Sequence, residues 1–369
     1  MSSEHTLTTW RYSPPDDSFA LKSAARSLGS REVLIRTTHS GLCYTDVHAK
    51  PKGCGLGHEG VGHVVQVGSE VTAHKAGDRV GWGWLHHSCG HCASCVAGHR
   101  QYCAQARGFA FGELDQGALG DYAIRDEAFA YAIPAGVSSA SAAPLMCAGA
   151  SVYEALDVAA TRPADHVGVV GVGGLGHLAV LFAKAMGCAV TAFSGSGEAK
   201  RADAFALGAD VFRVTSDPGR FWENQGQKQK PTPIPNSNPT SSGTGGGDGG
   251  DGAVPGINTL LICTNEVPPL EPLLPLLARQ ATIIPMTIQT TPLAIPYMPF
   301  ILPGHRIVAS TEASRQNHIA MMQFASRHGI KPWVEQFPMT GEGIKEAFRK
   351  LEAGEMRFRG VLVQESSSS

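Results

Sequence analysis

Two patterns of apolar residues divide the chain at about residue 134. Up to that point, short apolar segments are punctuated by glycine, which predicts β-strands at 31–38 and 61–67 and a turn at 77–81 that leads into another strand. Beyond it, alanine-rich helical stretches alternate with short apolar runs. These runs predict strands at 166–170, 189–193, 259–263, 282–284 and 306–310. Strand–helix alternation of this kind is typical of a parallel α/β sheet.

The end of the chain returns to a mixed pattern. A helix is predicted at 343–353, and the segment Thr340-Gly-Glu-Gly before it supplies a suitable N-terminal cap. A strand is predicted at 360–363. We therefore expect the last residues to add one helix and one strand to an α/β protein.

Residues 217–256 differ from the rest of the chain. This segment holds ten glycines and six prolines. Such a composition cannot bury enough apolar surface to order itself, and α/β alternation resumes directly afterwards at Ile257. We expect a disordered, low-complexity surface loop inserted within the α/β part, without a role in chemistry.

The charge balance limits the partners that this chain can have. Lys and Arg number 30 and Asp and Glu number 32, so the formal net charge is −2. Without a basic excess, binding to nucleic acid or to an anionic membrane is not expected. The 43% of hydrophobic residues is enough for well-packed cores.

Three features of the sequence indicate where in the cell the protein is expected: its first residues, its uncharged stretches and its cysteines. Residues 1–10 have neither the basic start nor the apolar core of a secretory signal. The uncharged stretches 128–153 and 280–304 are interrupted by prolines, so neither predicts a membrane helix. Nine cysteines in such a chain indicate thiol or metal chemistry in a reducing compartment, and we expect a cytoplasmic protein.

Four cysteines form a compact motif in the first part of the chain. Cys89, Cys92, Cys95 and Cys103 are spaced so that one loop can wrap four thiolates around one Zn²⁺. A site closed by four protein ligands is typical of a structural ion. Four free buried thiols or an iron–sulfur cluster are the alternatives, and the nearby histidines offer competing ligands: His86, His87, His91 and His99.

A second set of metal-binding side chains is scattered along the chain. Cys43, His58 and Cys147 together supply two thiolates and one imidazole. This donor set is typical of catalytic zinc, because it leaves a fourth position for water or substrate. Taken singly, these residues are as readily explained by packing.

The segment 166–184 carries a dinucleotide-binding fingerprint. A predicted strand is followed by Gly171-Val-Gly173-Gly174-Leu175-Gly176 and then by a helix. In this pattern Gly171 makes the tight turn, Gly173 lets a pyrophosphate approach the backbone, and Gly176 lets the helix pack on the strand. A glycine-rich turn without a nucleotide is the alternative.

The end of the next strand indicates which nucleotide is bound. An acidic residue is expected there when the ribose 2′-hydroxyl is free, but this chain has hydroxyl and cationic side chains instead: Ser194, Ser196, Lys200 and Arg201. These groups suit a 2′-phosphate and therefore favour NADP over NAD. Glu198 in a shifted register is the alternative ribose ligand.

In this combination the chain resembles the zinc-dependent medium-chain alcohol dehydrogenases, and most closely their NADP-dependent cinnamyl alcohol dehydrogenase-like branch. The resemblance covers nearly the whole chain except 217–256. It rests on the order of these motifs: Gly57-His-Glu-Gly-Val-Gly62, the four cysteines, Pro144-Leu-Met-Cys-Ala-Gly-Ala-Ser-Val-Tyr153, Gly171–Gly176, Ala183-Lys-Ala-Met-Gly187, Lys200-Arg201 and Met356-Arg-Phe-Arg-Gly-Val-Leu-Val363.

The resemblance implies an α/β fold of two domains. A GroES-like, β-rich catalytic domain is expected at 1–147, completed by 312–369. A Rossmann domain with a doubly wound parallel sheet is expected at 148–311 and would bind NADP. The family also implies a homodimer.

The resemblance also implies roles for residues near the metal. Cys43, His58 and Cys147 would bind catalytic zinc, so the chain would hold two Zn²⁺ ions. Glu59 would be an alternate ligand or lie directly behind the ligands, and Asp46 would orient His58. Thr45 and His48 match the family's proton relay, from substrate oxygen through the cofactor ribose to solvent.

The implied function is reversible reduction of an aldehyde or ketone to the alcohol by hydride transfer from NADPH. The alternatives are a reductase of iminium ions or activated alkenes in a biosynthetic pathway, and a relative that binds nucleotide without catalysis. The connection between Cys43 and His58 is shorter than is usual in the family, and it carries the additional thiol Cys54. Tyr44, directly after Cys43, stands where the family often has a cationic residue. Trp82 and Trp84 are candidates either for the walls of the substrate pocket or for the core.

Overall fold

The computed structural model describes residues 4–215 and 256–364. Nearly all of the predicted insertion at 217–256 lies outside the described residues. Eighteen strands are found in the described part of the chain: β1 (Glu4–Ser13), β2 (Ser18–Ser27), β3 (Glu32–Leu42), β4 (Glu59–Val67), β5 (Arg79–Trp82), β6 (Leu85–His87), β7 (Arg107–Phe109), β8 (Gly112–Glu113), β9 (Tyr122–Asp126), β10 (Tyr131–Ala132), β11 (His166–Val170), β12 (Ala189–Ser194), β13 (Val211–Val214), β14 (Ile257–Ile262), β15 (Leu277–Pro285), β16 (Arg306–Ile307), β17 (Val334–Pro338) and β18 (Arg359–Val363).

Helices connect and cover these strands. Those in the described residues are α1 (Tyr44–Ala49), α2 (Ala93–Val96), α3 (Ser139–Pro144), α4 (Ala150–Val158), α5 (Gly176–Ala185), α6 (Arg201–Ala206), α7 (Tyr297–Ile301), α8 (Arg315–His328) and α9 (Gly341–Glu352). A π-helical turn, Leu145–Gly149, joins α3 to α4. None of the described helices has both the length and the apolar character needed to cross a membrane.

A mixed sheet contains strands from both ends of the chain. Its order is β10-β5-β4-β3-β18-β17, and β9 also pairs with β3. The late strand β18 runs antiparallel to the end of β3, with Gly360 opposite Leu42 and Val363 opposite His39. The carboxyl-terminal segment therefore completes the sheet that the amino-terminal half begins.

A parallel sheet of six strands is formed by the middle of the chain. Its order is β13-β12-β11-β14-β15-β16, and every neighbouring pair is parallel. This is the strand order of a doubly wound dinucleotide-binding sheet, in which ligands bind where the order reverses, beyond the carboxyl ends of the first and fourth strands. The predicted α/β class is thus confirmed. The domain bounds themselves stay a prediction.

The predicted elements are present, with differences at their ends. The strand predicted at 166–170 matches β11, whereas the one predicted at 31–38 continues to Leu42. The strand predicted at 306–310 ends early, at Ile307. The helix predicted at 343–353 begins at Gly341, and Thr340 caps it because its hydroxyl oxygen accepts a hydrogen bond from the Gly343 N–H at 3.2 Å.

One hydrophobic core connects the two sheets. Val61 and Met146 on the side of the mixed sheet belong to the same buried cluster as Val169 and Leu178 of the parallel-sheet part. The segment from α3 to α4 runs through this cluster. Residues of that segment are therefore held in place from both sides, which matters because Cys147 lies there.

Candidate active site

Cys43 and Asp46 are fixed where β3 passes into α1. The carboxylate of Asp46, which is completely buried, accepts hydrogen bonds from the Cys43 N–H at 3.0 Å and the Gly57 N–H at 2.9 Å. One side chain therefore holds together the end of β3 and the residue that precedes His58.

His58 and Glu59 lie at the start of β4, and both are completely buried. The Nδ1 atom of His58 lies 3.3 Å from Asp46 Oδ1, and its ring stacks on Phe109 with 4.9 Å between ring centres. The Nε2 atom of His58 and the Oε2 atom of Glu59 are buried without a hydrogen-bond partner among the described residues. Buried polar atoms are seldom left unpaired, so these two are candidates for a bound cation.

Cys147 lies on the π-helical turn between α3 and α4. The neighbouring carbonyl of Met146 lies 3.2 Å from Nε2 of His318, a buried side chain of α8. The ring of His318 stacks flat on Tyr131 at 4.3 Å. The turn that carries Cys147 is thus supported from behind by a separate helix.

These elements bring four ligand atoms into one group. One donor atom each from Cys43, His58, Glu59 and Cys147 lies within 4.8 Å of the other three. The pKa of the Cys43 thiol is held well below its usual value, chiefly by the hydrogen bond from Cys147, and the imidazole of His58 also favours the thiolate. Two sulfur donors and one imidazole nitrogen are the ligands that zinc prefers, so the residues fit that ion.

A buried ion pair lies directly behind this group. The guanidinium of Arg359, on β18, donates to Oε1 of Glu59, and both side chains are excluded from water. Burial raises the pKa of Glu59 to about 7, although Arg359 acts in the opposite direction. The same guanidinium approaches the glycine turn, since a Cβ on Gly174 would lie 3.0 Å from Arg359 Nη1. Arg359 therefore connects the donor group to the candidate nucleotide site.

The sequence predicted no role for Arg359, Glu312 or His318. Glu312 Oε1 lies 3.6 Å from Nε2 of His318, and burial raises the pKa of Glu312 to about 7. Burial lowers the pKa of His318 to about 4, so this imidazole is neutral near neutral pH. Arg359 belongs to the motif at 356–363, so the sequence held a signal that could have identified it. Glu312 and His318 belong to no motif.

The four cysteines of the predicted structural site also come together. One sulfur atom each from Cys89, Cys92, Cys95 and Cys103 lies within 4.8 Å of the others, and no histidine belongs to this group among the described residues. Backbone N–H groups of His91 and Cys92 lower the pKa of Cys89 to about 6. These contacts favour the thiolate form of Cys89, the form in which a cysteine binds Zn²⁺, whereas the neighbouring cysteines raise the pKa of Cys92 to about 11. The nearby His86 instead contacts Glu113, with Nδ1 2.9 Å from the carboxylate.

The glycine turn has the geometry that a dinucleotide needs. Gly171 directly follows β11 and has φ +94°, a value that favours glycine. A Cβ on Gly176 would lie 1.7 Å from the Gly171 carbonyl oxygen, whereas a Cβ on Gly173 would meet no described atom within 4 Å. Leu175 precedes α5. The turn is therefore closed toward the protein and open where a pyrophosphate would lie.

The predicted 2′-phosphate ligands lie at the end of β12 and directly after it, but they do not all face the same way. The buried Ser194 hydroxyl accepts from the Ser196 N–H at 3.2 Å. Lys200 lies over the ring of Phe358 at 4.6 Å and has no carboxylate within ion-pair distance among the described residues. Arg201 instead binds Glu198. This pairing occupies both Arg201 and the carboxylate that was the alternative ribose ligand.

A cavity of about 500 Å³ opens beside the metal-ligand candidates. Thr45 and His48 line it from one face of α1, and the Thr45 hydroxyl oxygen lies 3.6 Å from Cys43 Sγ. Trp84 also lines the cavity, whereas Trp82 is completely buried in the core. Of the two tryptophans considered from the sequence, only Trp84 therefore faces a substrate-sized space. Tyr44 is exposed and makes an edge contact with the ring of His48.

Comparison with known proteins places this arrangement in a family. Residues 29–135 match the alcohol dehydrogenase GroES-like domain. Over 351 residues the chain is 32% identical to cinnamyl alcohol dehydrogenase 8 of Arabidopsis thaliana, covering 91% of this chain and 89% of that protein. It is also 30% identical over 376 residues to 1,2-dihydrovomilenine reductase of Rauvolfia serpentina, covering 97% and 95% of the two chains.

A solved structure agrees with the sequence relatives. A cinnamyl alcohol dehydrogenase from Sorghum bicolor superimposes with a TM-score of 0.82 at 30% identity, covering 97% of this chain and 98% of the other. The family resemblance expected from the motifs is thus confirmed. The chain belongs to the zinc-dependent medium-chain alcohol dehydrogenases, in the branch of the cinnamyl alcohol dehydrogenases.

Proposed function

We propose that this protein interconverts an aldehyde or ketone and the corresponding alcohol, with NADP(H) as the hydride carrier and Zn²⁺ as the electrophile. The observation that carries the proposal is the meeting of Cys43, His58 and Cys147, whose donor atoms lie within 4.8 Å of one another. Thr45 lies beside Cys43 in the wall of a cavity large enough for a small substrate.

The residues present would hold the required groups. When bound, zinc polarises the carbonyl oxygen, and NADPH supplies the hydride that reduces the carbonyl carbon. Cys43, His58 and Cys147 are the three protein ligands, Glu59 is an alternate ligand, and Asp46 keeps the His58 ring oriented.

A proton must be added to the substrate oxygen as the hydride adds to carbon. In the proposal the Thr45 hydroxyl would donate this proton, and His48 would return one from solvent. Thr45 and His48 are three residues apart on α1, so they share one face, and both line the cavity. His48 is exposed, which gives the relay access to water.

The nucleotide would lie on the turn Gly171–Gly176, with its pyrophosphate over Gly173 and the start of α5. Arg359 beside Gly174 adds a positive charge near the phosphates. Ser194, Ser196 and Lys200 support NADP over NAD, while Arg201 contributes less directly because Glu198 binds it. The four cysteines Cys89, Cys92, Cys95 and Cys103 would hold a second, structural Zn²⁺, giving two ions per chain.

A second candidate function is reduction of an iminium ion or activated alkene. The observation behind it is the similarity to 1,2-dihydrovomilenine reductase, a relative named as a reductase and not as an alcohol dehydrogenase. Thr45 and His48 in the cavity wall favour carbonyl reduction instead, because that reaction needs a proton at the oxygen.

Zinc content and turnover test the proposal together. The purified protein should contain two zinc ions per chain and should oxidise NADPH faster than NADH when aldehydes are added. Cys147→Ala should reduce the zinc content to one ion and remove turnover while NADPH binding is kept. Cys188→Ala is the control, because Cys188 is a buried cysteine that lies outside both metal-ligand groups. Full activity of Cys147→Ala would contradict the assignment, as would wild-type protein that reduces only iminium substrates.

We also propose a cytoplasmic homodimer. Large apolar side chains are exposed along the segment 288–302, which leads to β16, the last strand of the parallel sheet: Ile288, Leu293, Ile295, Tyr297, Met298, Ile301 and Leu302. An exposed apolar patch beside a strand edge suits a second copy of the chain. Sedimentation equilibrium tests the oligomeric state, and a monomer at micromolar concentration would contradict the homodimer.

A further inference from the structure

One side of the cavity is built by a single helical face. Thr45, His48, Ala49 and Lys52 all line it, at the spacing of successive turns of a helix. Lys52 belongs to a short 3₁₀ turn, Lys50–Lys52, that directly continues α1. Seven residues at a rise of ~1.5 Å set Thr45 and Lys52 roughly 10 Å apart along this face. The cationic residue is therefore remote from the metal-ligand candidates.

Apolar rings make up much of the rest of the wall. Trp84, Phe109 and Phe111 line the cavity, and Trp84 stacks on Phe111 with 6.2 Å between ring centres. Ala110 and Ile288 add aliphatic surface. Such a wall favours a substrate with a flat, apolar body.

Lys52 carries the one full positive charge among the lining residues, and no carboxylate lines the cavity among the described residues. Its Nζ donates to the carbonyl of Ala110 at 3.2 Å. That contact is with a neutral acceptor, and within the described part of the chain no acidic group lies at ion-pair distance from this ammonium. The charge of Lys52 is therefore available to a bound molecule.

The turn that presents Lys52 is anchored. Lys50 forms an ion pair with Glu352 and lies 5.0 Å from the ring centre of Tyr12 and 5.3 Å from that of Phe348. Pro51 restricts the backbone next to it. These contacts keep the base of Lys52 against the cavity.

We propose that Lys52 makes the cavity selective for aldehydes and alcohols that carry a carboxylate remote from the reacting carbon. The inference rests on the proposed function and specifies its substrate class. The reacting oxygen lies near Thr45, the flat body lies between the rings, and the carboxylate binds the ammonium of Lys52. Because Lys52 is exposed, an ion pair with it contributes mainly to binding, so its effect falls on KM and weakens with added salt.

Two matched probes test the selectivity: 4-formylbenzoate and its neutral methyl ester. At low ionic strength the wild-type enzyme should show a kcat/KM for the carboxylate that is about two- to fivefold higher, through KM. Lys52→Met should bring the ratio to about one, and Lys52→Glu should invert it. Lys22→Met, an exposed lysine on β2, is the control and should leave both values unchanged.

The outcomes separate this inference from the function on which it rests. If the ester is reduced with NADPH but the carboxylate has no advantage, the role of Lys52 is overturned and the proposed function stands. If neither probe is reduced, the proposed function fails; equilibrium binding of 4-(hydroxymethyl)benzoate to wild type and Lys52→Met then decides the role of Lys52. Equal affinities would overturn it, and weaker binding by Lys52→Met would support it.

Discussion

The guanidinium of Arg359 and the carboxylate of Glu59 are paired where water does not reach either group. Removing one member of a buried pair leaves an uncompensated charge, which typically costs about 3–5 kcal/mol. Glu59 also neighbours the metal-ligand candidates, and Arg359 neighbours Gly174. We therefore expect the pair to affect the stability of the fold, the candidate metal site and the candidate nucleotide site.

Arg359→Met should lower the free energy of unfolding by a few kcal/mol and raise KM for NADPH, because the phosphates lose a cation. Thermal melts and steady-state kinetics measure the two effects. Adding Glu59→Gln should recover part of the lost stability, since the unpaired carboxylate is gone, without recovering the nucleotide affinity. If Arg359→Met alone matches wild type in both measurements, the pair has neither role.

The candidate metal ligands could be predicted from the sequence because they lie in recognisable motifs. The residues that hold these ligands in place could not. Cys43, His58 and Cys147 are unusual residue types in recognisable contexts, and the structure brings them together. Glu312 contacts His318, and His318 contacts the carbonyl of Met146, which is 172 residues away in the chain. No local pattern encodes such long-range pairings.

At the scale of elements, the loop of the four cysteines has almost no apolar surface of its own to bury. Val96 is 76% exposed and Tyr102 is 50% exposed, and the loop contains only the single turn of α2 and one 3₁₀ turn. Hydrophobic packing cannot order such a segment. A metal ion bound by four thiolates can, because its binding energy then becomes folding energy.

Cys95→Ser should lower the zinc content by one ion per chain, lower the melting temperature, and make the loop sensitive to proteases. His99→Ala is the control, since His99 is a neighbouring imidazole outside the cysteine group. Metal analysis, thermal melts and limited proteolysis of both variants measure these three effects. An unchanged melting temperature and zinc content in Cys95→Ser would rule out a structural ion.

Strand and helix types were predicted better than their ends or partners. The β11 strand is short, apolar and followed by glycines, so its bounds follow from sequence. The hairpin of β1 and β2 was not predicted individually, because its stability comes from pairing of Glu4–Ser13 with Ser18–Ser27 rather than from an apolar run. The resemblance implied that residues 312–369 complete the amino-terminal domain, but the pairing of β18 with β3 was not predicted.

For the molecule as a whole, His177 joins the nucleotide turn to the carboxyl-terminal segment. Its Nδ1–H donates to the Gly173 carbonyl at 3.1 Å, while Nε2 accepts from the Trp333 N–H at 3.4 Å. Both contacts use the neutral ring. Burial lowers the pKa of His177 to about 3.

Acid should therefore destabilise the fold from below pH 6.5. The unfolded chain binds a proton at His177 near pH 6.5, and the folded chain does not until about pH 3, so stability falls as pH falls between these values. By pH 5.5 this histidine alone costs about 1.4 kcal/mol. His177→Gln should accordingly show a decline in melting temperature from pH 7.5 to 5.5 that is about 2 °C smaller than that of wild type. Parallel declines would exclude His177 as a cause.

The position of β18 in the mixed sheet has a consequence for biosynthesis. Residues 359–363 fill the place beside the end of β3 and supply the partner of Glu59, yet they are translated after all the other described strands. A nascent chain can form the parallel sheet while its amino-terminal half still lacks a neighbour. The enzyme consequently becomes competent only after residues 359–363 have been made, and a frameshift just before residue 359 should be as damaging as the loss of Cys147.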